Sequence, residues 1–360
     1  MVKSTPQLFN YRMPAEWHSH TATQLHWPSN RQTWPGERLS RVEKVYLDII
    51  EVLADFEPIH LFSENEKVAD RAWSLMDSRG IETGAITMHI QPINDVWARD
   101  CGPIFISRNT DAGEEFAITD WQYNAWGGKY PPFEDDNALP EYFASKYNIP
   151  RFEPDMVLEG GSIDTNGKGL LLTTESVLLN DNRNPHLSKK QIEERLQEFL
   201  GIAKVIWLKQ GLAGDDTDGH IDDIARFINE DTILAMVAKN PNDVNYKALK
   251  TNLQILEGAT DRQGNKLNIE TLPLPKTKIS GTTVDGSQHV PASYANFYVA
   301  NGVVLVPLYD KRYDRQALDL LEKYFPDRQV VGIPCADLVW GQGSIHCITQ
   351  QLYNIPGDVD

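Results

Sequence analysis

Three segments of the chain carry residue types that can do covalent chemistry. Cys347 follows the run GQGSIH. A glycine-rich turn lets backbone approach a ligand closely and can aim N–H groups inward, and a thiolate presented there is a nucleophile. A free cysteine in a C-terminal strand is otherwise a small buried hydrophobe, and that reading suits the other two cysteines. Cys101 abuts Asp100, whose charge raises a thiol pKa, and Cys335 lies between Pro334 and Ala336 at a strand end.

The second segment, AGDDTDGHIDDIARF, sets Asp215, Asp216, Asp218, His220, Asp222 and Asp223 within nine residues. Three readings stand side by side. A solvated turn is the ordinary fate of a charge run. A calcium loop is disfavoured by a misplaced glycine and the missing bidentate Glu. In the third reading His220 is a base with Asp222 two residues on. If the segment is a strand, the two share one face and point together into a cleft.

The third segment, NDVWARDCGP, supplies Asp95, Trp97, Arg99 and Asp100 ahead of the apolar strand PIFI. A planar cation is held well by paired carboxylates with an aromatic face alongside. Asp100 and Asp222 can be that pair and Trp97 that face. The alternative is a buried ion pair of Arg99 with an Asp, with Trp97 as core. LEGGS adds Glu159 before two glycines. No His-Glu-x-x-His zinc pattern occurs.

Composition narrows what such a site serves. Of 360 residues, 34 are Lys or Arg and 51 are Asp or Glu, for a formal charge of −17. That balance repels phosphate backbones and excludes nucleic acid as the expected partner, while an acidic field suits a cationic substrate. The apolar fraction of 41% is that of a globular chain. The N-terminal stretch has no apolar core of the signal-peptide kind, and no run approaches the roughly 20 apolar residues that span a bilayer. Three cysteines make neither a disulfide framework nor a Cys-x-x-Cys site. A protein of the reducing cytoplasm is expected, and a homo-oligomer is open.

The elements that must position these residues recur. From Leu170 the chain reads GLLLTTESVLL, a polar loop, the helix KKQIEERLQEFLG and the strand AKVIWL. In that helix Ile192, Leu196, Phe199 and Leu200 share a face, Ser188 can cap the start and Gly201 the end. TILAMV to LNIETLPL and GVVLVP to QVVGIP repeat the pattern, and rougher copies lie around the helices near Leu139–Tyr147 and Arg41–Phe56. The last of these adds a helix near Glu66–Gly80 and the strand AITMHI. About five units, each too small to bury its own core, must pack on one another. One domain over residues 1–360 is expected. The chemically suggestive segments, with DGSQHVPAS, all follow the closing strands, so units set around an axis bring them together.

Taken together, MPAEW, NDVWARDCGP, WQYNAWGGKYPP, LEGGSID, LLTTESVLLNDNRNP, DDTDGHIDDIARF, ASYANFY and GQGSIHCITQQ resemble the agmatine deiminase and bacterial peptidylarginine deiminase family, nearly end to end. The resemblance implies a five-bladed, pseudo-fivefold α/β propeller of ββαβ-type units. It implies Cys347 as nucleophile, His220 as general acid/base, Asp100 and Asp222 as guanidinium-binding carboxylates and Glu159 as a supporting acid. Neither an organic cofactor nor a catalytic metal is implied. The implied reaction is hydrolysis of a guanidine, foremost agmatine, to a urea and ammonia. Arginine or peptidyl-arginine deimination, amidino transfer, and a non-catalytic guanidine- or polyamine-binding propeller are the alternatives. Many such proteins read Gly-Gly-Gly-Asn before Ile-His-Cys, and Glu-Thr-Asp-Gly-His-Val-Asp-Asn at the acidic loop. Here Gly-Gln-Gly-Ser stands at 341–344 and the loop begins at Asp216, which bears on how the substrate's tail is read.

Overall fold

A computed structural model describes residues 5–276, 283, 285–355 and 357. Its strands form five small sheets. The first contains β1 (Ala22–His26), β2 (Ile59–Ser63) and β3 (Ile86–Ile90), parallel and linked by α1 (Arg38–Leu53) and α2 (Glu66–Arg79). In the second, β4 (Ile104–Thr110) and β5 (Gly113–Thr119) are antiparallel, and α3 (Leu139–Tyr147) leads to β6 (Arg151–Phe152), parallel to β5.

Three further sheets repeat the order strand, antiparallel strand, helix, parallel strand. They are β7 (Asp164–Thr165), β8 (Leu170–Thr174), α4 (Lys189–Leu200) and β9 (Lys204–Leu208), then β10 (Ala225–Phe227), β11 (Thr232–Val237), α5 (Tyr246–Glu257) and β12 (Asn268–Pro273). The last is β13 (Tyr298–Val299), β14 (Val303–Leu308), α6 (Asp314–Tyr324) and β15 (Gln329–Pro334). The first sheet takes its antiparallel strand from the far end of the chain, β16 (Gln350–Leu352), which pairs Leu352 with Ala22. This is the expected five-bladed α/β propeller of ββαβ units.

Local chemistry explains the elements. The Ser188 side chain accepts from the Gln191 N–H and Gln191 answers to the Ser188 N–H, a capping box; Gly201 ends α4 at φ +67°. Ile192, Leu196 and Leu200 are fully buried, each contributing about 1.5–3 kcal/mol. All positions of β8 are buried, as befits a strand covered on both faces. Cores run across units: one cluster joins Leu172 of β8, Leu234 of β11 and Val304 of β14. No unit stands alone.

Two boundaries differ from the sequence reading. Helix α1 starts at Arg38 and stops at Leu53, three residues earlier than expected at each end. The run GLLLTTESVLL is not one strand. Thr174 caps a short helix at Glu175–Leu178 by accepting from the Val177 N–H, so β8 stops there. Among the described residues no helix is long and apolar enough to cross a membrane.

Candidate active site

The five segments that follow β3, β6, β9, β12 and β15 meet at one place. They supply Asp100, Gly161, the pair His220 and Asp222, Asn296, and Cys347 respectively. Gly161 N–H donates to Asp100 Oδ1 at 3.0 Å. A methyl group on Gly161 would lie 2.7 Å from Asp100 Oδ1, 2.7 Å from His220 Nδ1 and 3.0 Å from Asp222 Oδ2. Only a residue without Cβ leaves those three side chains their positions. Gly160 lies as close to the backbone on its other side, its missing Cβ 2.1 Å from the Arg99 carbonyl.

Asp100 sits in a helical turn, Ala98–Cys101. Its Oδ2 accepts from Trp126 Nε1 at 2.9 Å, and His220 Nδ1 is 3.7 Å from its Oδ1. Burial raises its pKa to about 6, with His220 opposing and Asp222 and Glu159 adding to the rise. Trp126 reaches it from a run of left-handed backbone, Ala125 (φ +50°), Trp126 (+55°), Gly127 (+90°) and Gly128 (+76°). Ala125 and Trp126 are strained there. Asn124 holds the turn by accepting from the Gly127 N–H at 2.8 Å.

The acidic loop is neither a solvated turn nor an ion cage, because its carboxylates have separate partners. Asp215 accepts from the Thr217 N–H at 2.9 Å and the His220 N–H at 3.1 Å. Asp216 accepts from Tyr130 Oη at 2.6 Å, Asp218 from Lys129 and Arg183, both at 2.7 Å, and Asp223 from Asn296 Nδ2 at 3.0 Å. His220 and Asp222 are not on a strand, contrary to expectation. His220 precedes a 3₁₀ turn, Ile221–Asp223, and the turn, not a pleat, carries both side chains to Gly161. Burial disfavours the imidazolium, but Asp100, Asp222, Glu159 and Asp215 outweigh it and hold the His220 pKa above its usual value.

Glu159 is fully buried and forms an ion pair with Arg183 Nε at 2.5 Å. Arg183 also binds Asp218 and the Thr217 carbonyl, so Glu159 ties LEGGS to the acidic loop. Among the described residues, three buried atoms here find no hydrogen-bond partner: Glu159 Oε2, Asp222 Oδ1 and His220 Nε2. Leaving such atoms unpaired costs about 1–3 kcal/mol each, and a guanidinium with its N–H donors on several sides answers the two carboxylates.

Cys347 lies in a turn just before β16, not within a strand. Its Sγ is 3.8 Å from Asp222 Oδ2 and 3.2 Å from Asn296 Nδ2. Burial, then Asp222, Asp223 and Asp100, push its pKa well above that of a free thiol. The preceding His346 bridges Asp222 Oδ2 and Glu16 Oε2, each at 2.7 Å. Burial opposes ionisation of Asp222, yet the His346 hydrogen bond and the charges of His346, His220 and Arg226 hold its pKa below the usual range. Glu16 in turn pairs with Arg226 at 2.7 Å and stands 3.5 Å from Arg99.

Gly341 and Gly343 border the same recess as the Cys347 sulfur, and aromatic rings set where they stand. Gly341 packs on Trp34 and Gly343 on Trp97, each with no room for a Cβ. Above the sulfur opens a cavity of about 770 Å³, lined by Cys347, Asp100, Trp97, Trp126, Tyr130, Asp216 and others. Trp97 and Trp126 stand edge to face, 6.2 Å apart, so Trp97 is both core and wall. Asp216 faces the same cavity with a pKa raised to about 7, chiefly by burial. Cys101 and Cys335 are absent from that lining, and burial raises both thiols. His26, Cys101 and Asp136 place ligand-type atoms within 4.8 Å of one another. Those groups have protein partners: His26 Nδ1 donates to the Asp95 carbonyl, Cys101 Sγ to the Trp97 carbonyl, and Asp136 accepts from the Asn94 N–H.

The sequence model of the Porphyromonas-type peptidyl-arginine deiminases matches residues 12–352. The chain belongs to that family. Within it, a Legionella pneumophila (strain Paris) protein provisionally named an agmatine deiminase is 36% identical over 351 residues, 97% of each chain. A solved agmatine deiminase of Enterococcus faecalis superposes with a TM-score of 0.88 at 31% identity over 99% of each chain. A Cys-to-Ser variant of the Campylobacter jejuni agmatine deiminase, solved with substrate bound, gives 0.83 at 30% identity, covering 95% of this chain and 96% of that one.

For this family member the structure brings together all five residues that the sequence nominated for chemistry. It adds Trp126, Arg183, Asn296, His346 and Glu16, which sequence reasoning left inside longer motifs. A Trp before two glycines, or a His beside a candidate nucleophile, was the available signal. Arg183→Met should expose how far Glu159 depends on its partner, since an unpaired buried carboxylate typically costs about 3–5 kcal/mol. The midpoint of a urea denaturation should fall accordingly. Gly161→Ala should cost about 1–3 kcal/mol through overpacking, and a midpoint equal to the parent's would show that the three side chains have room to move.

Proposed function

We propose that this chain, acting as one guanidine-deiminase domain, hydrolyses agmatine to N-carbamoylputrescine and ammonia. The observation that carries this reading is the placement of the Cys347 sulfur at the floor of a cavity beside Asp100 and Asp222, with Asp222 Oδ1 buried and unpartnered. Family membership and the names of the relatives support the choice of agmatine. The acidic site suits a small cation. Three unpaired cysteines fit a cytoplasmic protein.

The guanidinium binds with its N–H groups on Asp100 and Asp222, against the wall that Trp97 and Trp126 form together. Its positive charge offsets the carboxylates that oppose ionisation of Cys347, and the thiol proton leaves to water. The thiolate attacks the central carbon, forming a C–S bond. His220, held protonated by its acidic neighbours, gives a proton to one terminal nitrogen, and the C–N bond breaks to release ammonia. Water then attacks the S-alkylthiouronium carbon while neutral His220 takes its proton. Collapse breaks the C–S bond and gives up the remaining hydroxyl proton to solvent, leaving a urea and the Cys347 thiolate. Glu159 supports His220 through its negative field while Arg183 holds it. Asp216, farther along the cavity, meets the ammonium end of the substrate.

Cys347→Ser should bind agmatine and release no ammonia, because the hydroxyl is far less ionised than the thiol. Wild-type ammonia release from that variant would remove the nucleophile from the scheme. In the same serine background, Asp100→Asn or Asp222→Asn replaces an acceptor by a donor, and loss of a charge-assisted contact typically costs about 2–5 kcal/mol. Calorimetric titration with agmatine should show that loss; unchanged affinity would place the guanidinium elsewhere. Parallel assays on agmatine, arginine and an arginyl peptide decide the substrate. Dialysis against a chelator should leave activity intact, and a loss restored by zinc would implicate the His26, Cys101 and Asp136 group.

The pH dependence follows from two groups. Asp100 must be ionised to hold the cation, so kcat/KM should fall as pH drops through about 6. His220 must be protonated to expel ammonia, and its raised pKa carries that capacity above the ordinary histidine range before it is lost at higher pH. An acidic limb near pH 4, typical of an unperturbed carboxylate, would contradict the assignment of Asp100.

A further inference from the structure

The Cys347 sulfur has a neighbour that neither binds the guanidinium nor titrates. Asn296 is fully buried, and its side-chain amide lies against Sγ, with Nδ2 at 3.2 Å and Oδ1 at 3.6 Å. Which end faces the sulfur decides what the amide can do, and the surroundings fix it. Asn296 Oδ1 receives the backbone N–H of His346 at 2.9 Å. A backbone N–H only donates, so that atom must be the carbonyl oxygen. The NH₂ end then has two hydrogens and two acceptors: Asp223 Oδ1 at 3.0 Å and Cys347 Sγ at 3.2 Å. An amide turned the other way would face the His346 N–H with a second donor.

We propose that Asn296 is the hydrogen-bond donor that stabilises the Cys347 thiolate, its amide locked by Asp223 and the His346 backbone so that N–H points at sulfur. This rests on Cys347 being the nucleophile. A donor favours the anion over the thiol, because it strengthens with charge on the acceptor. Cys347 needs such help, with Asp222, Asp223 and Asp100 all opposing its ionisation. The same donor serves twice. It steadies the attacking thiolate, weakens against the neutral thioether sulfur of the intermediate, and strengthens again as the C–S bond breaks and the thiolate departs. Asp223, which takes no part in binding, thereby gains a purpose as the anchor of the amide.

The test is the rate at which iodoacetamide alkylates Cys347 as a function of pH, followed by peptide mass spectrometry. Alkylation joins sulfur to carbon with loss of iodide and reports the thiolate fraction, with no need for substrate. Asn296→Ala should move the midpoint upward by about one to two pH units, the worth of a hydrogen bond to a charged group. Its kcat/KM on agmatine should fall about 10- to 100-fold relative to the parent at neutral pH, and that deficit should narrow as pH rises toward the midpoint of the thiol. The isosteric Asn296→Asp keeps the volume and places a further carboxylate against sulfur, so its midpoint should move at least as far. It decides the matter should the alanine variant fail to fold. An unmoved midpoint in the folded variant, with activity lowered equally at every pH, would make Asn296 a packing residue and overturn the proposal. Turnover retained in Cys347→Ser would instead sink the nucleophile assignment on which the proposal stands.

Discussion

A space too small for a methyl group organises this protein. Asp100, His220 and Asp222 all come within 3.0 Å of where a Cβ on Gly161 would stand. Three ionisable side chains can share so small a volume only if the segment between them is bare backbone. The neighbouring Gly160 seats that backbone on the Arg99 carbonyl. The helical turn that carries Asp100 and the loop that carries Glu159 are thus pressed into contact. The propeller supplies the convergence of loops, and the glycine pair sets how near they come.

Such closeness concentrates negative charge, and the surroundings show how the fold bears it. Arg183 neutralises Glu159, while His346 and Arg226 offset Asp222 and Glu16. These partners take one oxygen of each carboxylate, and among the described residues Asp222 Oδ1 and Glu159 Oε2 have no donor. The site is therefore charge-balanced on one side and short of cation on the other. A bound cation would offset that imbalance, and the same field would lower the cost of ionising the Cys347 thiol beside it.

Much of this could be read from the chain. The alternation of apolar strand, loop, amphipathic helix and strand foretold five units, because a strand buried on both faces and a helix buried on one leave different periods in the sequence. The placement of the polar motifs after the closing strands foretold that they would meet. Details of backbone were harder. His220-x-Asp222 has the spacing of a strand face, but a 3₁₀ turn achieves the convergence, and periodicity over three residues cannot separate the two. The glycines at 341 and 343 read as a ligand cradle and do line the cavity, but what demands their missing side chains is Trp34 and Trp97. Packing against an aromatic ring and packing against a substrate impose the same demand for a missing side chain. Asn296 and Arg183 were invisible as functional residues for another reason. Each acts on a group far away in sequence, and one chain alone records no such pairing.

The antiparallel pairing of β16 with β1 has a further meaning for the site. β16 begins three residues after Cys347, and its ladder reaches β1 near the opposite end of the chain. The carboxylates, the imidazole and the amide all belong to segments that precede this last strand. The stretch just before β16 also carries His346, which spans Asp222 and Glu16, and Cys347, whose sulfur rests against Asn296. One short segment thus closes the first sheet and ties the acidic loop to the first blade.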